Sequence, residues 1–169
     1  MSLDGSELQV VNRFRTEIEK RLPEPEKQNG YLNSLVFREI VYSVLHQPLY
    51  DLVDSVLEKD WGRAHAWAST NNRYSIPDNG QGVDPSNLLS FICFSNYFDQ
   101  TTNPRSEFHR LAHSVRLIRN KCYGHTLDLE LTTVTLNIAP GIEETLSFGQ
   151  IIVLLRTFLT EINNRRQNF

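Results

Sequence analysis

The stretch SEFHRLAHSVRLIRNKCYGH, residues 106–125, carries the pattern that decides the fold. Phe108, Leu111, Val115, Ile118 and Cys122 recur at alternating steps of three and four. That is the seam by which an amphipathic helix packs against other helices. Gly124 can take a left-handed conformation and close the helix. A plain helix end needs nothing beyond that glycine, yet here Arg119-Asn120 precede it and His125 follows.

The same period runs outward in both directions. Ser6-Glu7-Leu8-Gln9 reads as a capping box, opening a helix through Val11, Phe14 and Ile18 to Leu22, where Pro23 and Pro25 stop it. After the link PEPEKQNG, the spacing predicts a second helix from Tyr31 to His46, with Leu32, Leu35, Val36, Ile40 and Val44 as its apolar stripe. A third starts near Pro48, tolerated in a first turn, and continues through Leu49, Leu52, Val53, Val56, Leu57 and Trp61 to Ala64. The Gly/Pro/Asn/Asp-rich residues 69–86 read as a loop. Asp84-Pro85 supplies an N-cap and first helical position for NLLSFICFSNYF, which is apolar nearly all round and so reads as buried. Beyond His125, Val134, Leu136 and Ile138 alternate with polar residues, as a short strand or an extended connection would. The last helix carries the stripe Phe148, Ile152, Leu155, Leu159 and Ile162. The expected architecture is all-α, a single domain over residues 1–169. It is a bundle of five to six helices with at most a short β segment before the last one.

Composition agrees with one domain. A chain of 169 residues, 40% hydrophobic and 22% charged, fills one core and belongs to no disordered or membrane class. The N-terminus has neither the basic patch nor the apolar run of a signal peptide, so the expectation is a cytoplasmic protein. Cys93 and Cys122 lie on separate predicted helices and read as free thiols. The net charge of −3 gives no global attraction to nucleic acid or to anionic lipid. Between Pro104 and His125, however, Arg105, Arg110, Arg116, Arg119 and Lys121 face only Glu107. A local excess of that kind can hold an anion, because screening makes the near field dominate. The alternative is a solvated helix face.

On a helix, His109, His113, Arg116 and Asn120 fall within about 60° of one another, with Arg119 on the edge between them and the apolar seam. Past Gly124 the chain turns, which frees His125 to fold back toward Arg119 and Asn120. An imidazole can take a proton from a ribose 2′-hydroxyl or return one to a leaving oxygen. A guanidinium can bind the phosphate through two parallel hydrogen bonds, and an Asn can orient either group. Such chemistry calls for no metal and no cofactor. A zinc reading of His109, His113 and Cys122 fails on angle, since Cys122 sits on the opposite seam. Trp61 falls on an apolar stripe and reads as core. No P-loop, G-x-S-x-G or carboxylate pair accompanies the motif, so NTPase, serine hydrolase and glycosidase chemistry have no anchor.

The run RNKCYGH, residues 119–125, resembles the R-x(4–6)-H signature of HEPN domains, whose Arg is usually followed by Asn; its Tyr-Gly-His ending resembles an animal branch joined to NTPase modules of innate-immune receptor-like proteins. The resemblance covers about residues 87–125 and the final helix. It implies an all-helical homodimer whose two motifs face one cleft, and in many members metal-independent cleavage of single-stranded RNA. Matched position by position, Arg119, Asn120 and His125 are the implied catalytic set, with Arg116, His109 and His113 as RNA contacts. Other members are non-catalytic dimerisation, adaptor or nucleotide-binding modules of larger chains, so that reading stands beside the ribonuclease one.

Overall fold

The structure is a computed structural model that describes residues 25–72, 74–98, 106–122, 133–139 and 142–167, with Thr16 and Lys20. Of the expected helix over residues 6–22 only Thr16 and Lys20 are described, both helical; Arg105, Tyr123, Gly124 and His125 lie outside the described residues. The described elements are α1 (Pro25–Glu39), a π segment (Ile40–Val44), α2 (His46–Val56), α3 (Trp61–Thr70), α4 (Pro85–Phe94), α5 (Glu107–Cys122), β1 (Thr133–Ala139), β2 (Ile142–Ser147) and α6 (Phe148–Arg166). The all-α expectation is met by these six helices, with one small hairpin. No helix among the described residues is long and apolar enough to cross a membrane.

α5 packs on α4 and α6, and α2 on α4 and α6, so these four helices surround the core. Phe108, Val115 and Ile118 of the α5 seam are buried, and Ala112 joins them. Phe108 meets Phe158 of α6 at 5.6 Å between ring centroids, and the Arg165 guanidinium lies over the Phe108 ring at 4.4 Å. Removing either phenylalanine would cost about 3–5 kcal/mol. α4 is buried on nearly every side, as its composition implies. Asp84 caps it, accepting a hydrogen bond from Ser86 N at 2.7 Å, with Pro85 in the first turn.

Three expectations need correction. The PEPEKQNG link is not a link: α1 begins at Pro25, a residue suited to a first turn, and runs through it. The apolar stripe of this helix is displaced by one position. Phe37, Val41 and Leu45 are fully buried, whereas Leu32, Val36 and Val44 are 42–47% exposed. The cause is the π segment, whose Leu45 N–H bonds to Ile40 O at 2.9 Å, one residue further back than in an α-helix. Successive steps of four from Phe37 to Leu49 would drift by about 120° on a regular α-helix, and the wider turn absorbs that drift.

The third correction is a break in the helix expected to run from Pro48 to Ala64. α2 ends at Val56, where Glu58 N bonds to Ser55 O and Lys59 N to Asp54 O, the double closure of a Schellman end. Glu58 occupies the left-handed position usually given to glycine, with φ 53°. α3 then starts at Trp61, which is 4% exposed. Its ring stacks on Tyr50 at 4.8 Å and its Nε1 donates to Asp54 at 2.7 Å. Gly80 closes over it at φ +69°, so near that a Cβ there would stand 2.4 Å from the indole.

The extended region resolves into a strand paired with a second strand absent from the sequence reading. β1 and β2 are antiparallel, with Val134 opposite Leu146 and Thr133 opposite Ser147, and an irregularity between Asn137 and Ala139. Val134, Leu136 and Leu146 are buried, while Thr135 and Thr145 share a hydroxyl hydrogen bond of 2.9 Å on the outer face. Lys121 donates to Thr135 O, tying the hairpin to the last turn of α5. α6 opens with a capping box between Ser147 and Gln150.

Candidate functional site

α5 brings its polar residues to the site in one continuous piece. Ser106 Oγ accepts from His109 N at 3.3 Å at its start, and Arg119 and Lys121 occupy the last turn, where the helix dipole favours cations. Arg119 is the best-anchored of them. Its Nη2 lies 3.4 Å from the Tyr42 hydroxyl and 3.9 Å from Asp84 Oδ1, and its Nη1 donates to Asn120 Oδ1 at 3.4 Å. The side chain remains 21% exposed. These are long contacts. A partly exposed ion pair of this kind is worth about 0–1 kcal/mol, so a phosphate offering two short, charge-assisted bonds can displace it.

Tyr42 and Asp84 are the residues that reading the sequence did not assign to the site. Tyr42 sits inside the π segment and donates to Asp84 Oδ2 at 3.0 Å while receiving the Arg119 guanidinium. Asp84 therefore serves three elements at once: the α4 cap, the π segment and the end of α5. Burial alone would push its carboxyl up. Hydrogen bonds from the Ser86 side chain and backbone and from Tyr42, with the Arg119 charge, outweigh burial and hold it below the usual range. Asp84 is thus an anion at neutral pH. Only its N-cap position was legible in the sequence; Tyr42 lies 77 residues from Arg119 with no local signal linking them.

The remaining candidates are distributed unevenly. Arg116, one turn before Arg119, lays its guanidinium over the Phe94 ring at 4.6 Å, and its Nε has no hydrogen-bond partner among the described residues. Phe94 is 42% exposed. His113 is half-buried, whereas His109 is 6% exposed and belongs to the interior of the chain. Asn120 is exposed beside Arg119, and His125 lies outside the described residues. Arg119 and Asn120 are therefore brought together, while Arg116 is directed onto an aromatic face. Among the described residues no group of three or more His, Cys, Asp or Glu is arranged to hold a metal ion. Cys93 is buried, at 2% exposure.

Compared with known protein families, with curated proteins and with solved structures, the chain finds no match in any of the three.

Proposed function

We propose that this chain is a HEPN-like, metal-independent endoribonuclease that cleaves single-stranded RNA at a cleft between two copies. The observation that carries the reading is the held but partly exposed Arg119 guanidinium, set beside Asn120 in the last turn of α5, with the motif histidine six residues further along the sequence. In this reading the ribose 2′-hydroxyl attacks phosphorus while one His125 imidazole removes its proton. The P–O5′ bond breaks, and the imidazolium of the second copy protonates the leaving oxygen. Arg119 binds the non-bridging oxygens, whose charge grows in the transition state, and Asn120 orients the group. The products are a 2′,3′-cyclic phosphate and a 5′-hydroxyl. Arg116, planar on Phe94, suits an RNA contact; His113 borders the same stripe, and His109 supports it from inside. A reducing, cytoplasmic setting suits a chain whose Cys93 is buried.

A second reading, a non-catalytic dimerisation or nucleotide-binding module of a larger chain, is favoured by one feature. The Asp84 carboxylate partly neutralises Arg119. Digestion of a mixed-sequence RNA in EDTA separates the two. Cyclic-phosphate ends that disappear in Arg119→Ala and His125→Ala establish the nuclease. A dimeric protein that leaves the RNA intact establishes the second reading instead.

A further inference from the structure

Beside Arg119 lies an open depression of about 390 Å³, lined among the described residues by Leu35, Arg38, Glu39 and Tyr42. Tyr42 belongs to both places: it lines the depression, and its hydroxyl reaches Arg119 at 3.4 Å and Asp84 at 3.0 Å. The depression is large enough for a heteroaromatic ring and adjoins the guanidinium that would hold a phosphate. Its chemistry argues against a second phosphate. Among the described residues Glu39 sets an anion against the Arg38 cation, so their charges cancel, while Leu35 and Tyr42 add apolar surface.

We infer that this depression is a nucleobase subsite selective for guanine, taking the base of the nucleotide whose 3′-phosphate rests on Arg119. A guanidinium pairs with the two acceptors O6 and N7 of guanine. A carboxylate pairs with its two donors, N1–H and the N2 amino group. Adjacent Arg38 and Glu39 supply both partners. No other RNA base presents a two-acceptor edge next to a two-donor edge. The apolar wall stacks a base of any sequence, so selectivity arises from the charged pair and affinity from stacking plus phosphate. The π segment accounts for the placement, since it starts directly after Glu39 and contains Tyr42.

The inference rests on Arg119 being a phosphate-binding group, and its test is arranged to fail separately from the nuclease reading. The four ribonucleoside 3′-monophosphates are titrated calorimetrically into the wild type, Glu39→Gln, Arg38→Ala and Arg119→Ala, with thermal melts confirming that each variant folds. The guanosine nucleotide should bind at least about tenfold more tightly than the other three. Glu39→Gln should reduce that preference to about twofold while leaving the uridine nucleotide unchanged. Arg119→Ala should weaken all four nucleotides alike. Equal affinities in the wild type, no binding of any nucleotide, or a preference that survives Glu39→Gln would each overturn the subsite. The same preparations enter the EDTA digestion. Cleavage without guanine-selective binding leaves the nuclease and removes the subsite; selective binding without cleavage does the reverse.

Discussion

Two corners of this molecule are built from the same pair of parts and put them to different use. In each, an aspartate accepts a hydrogen bond from the polar tip of an aromatic side chain: Asp54 from Trp61 at 2.7 Å, and Asp84 from Tyr42 at 3.0 Å. At the first corner the indole stacks on Tyr50 and lies close against Gly80, and only 4% of the residue is exposed. At the second a guanidinium whose side chain is 21% exposed joins the pair at long distances. The residues 74–84 run from one corner to the other, fastened by Gly80 at the indole and by Asp84 at the head of α4. The first corner is closed by packing, and the second is held by longer, more exposed contacts.

The sharpest way to break this contrast is Gly80→Ala. The added Cβ meets the indole and the backbone is left-handed there, so the variant should lose about 3 kcal/mol in denaturant unfolding. A loss under 1 kcal/mol would mean that the loop can lift off Trp61 freely. Asp84→Ala should cost about 1 kcal/mol through the α4 cap, measured the same way, while Asp84→Asn should cost less because it retains a capping oxygen. Acid titration sharpens the picture. The Asp84 carboxyl is lowered in the fold, so its contribution is present at neutral pH and is lost as pH falls from about 4 through the folded value. The gap in melting temperature between wild type and Asp84→Asn should therefore narrow toward pH 2; a gap constant with pH would place the effect in geometry rather than charge. The smallest stability change belongs to Arg119→Ala, within about 0.5 kcal/mol, although under the proposed nuclease reading it should abolish RNA cleavage.

How far the sequence could be read follows from where its local signals agree with the tertiary structure. Asp84-Pro85 marks a cap in any context, and the α4 and α5 patterns hold because these helices are regular and deeply packed. α2 ends without warning, since its left-handed position carries Glu58 and no glycine or proline. The start of α6 was legible in Ser147-x-x-Gln150, a capping box that periodicity alone overlooks. β2 was hidden by the exposed Glu143 and Glu144, with Leu146 the one buried side chain among those described in it. The site divides the same way. Arg119 and Asn120 are neighbours on one helix and declare themselves, whereas Tyr42 and Asp84 reach them only once the π segment and α4 are in place.

The π segment also bears on how this chain tolerates changes in length. A turn that holds one extra residue can lose it and remain helical, so a single deletion between Ile40 and Val44 would leave secondary structure almost untouched. It would rotate all of α1 by about 100° relative to α2. Val36 would then occupy the place of Phe37, and Asn33 that of Ser34, filling a large apolar hole with a small side chain and a buried one with an amide. Relatives of this protein that lack the extra residue should therefore show compensating exchanges at those two positions, and a shifted residue opposite Asp84.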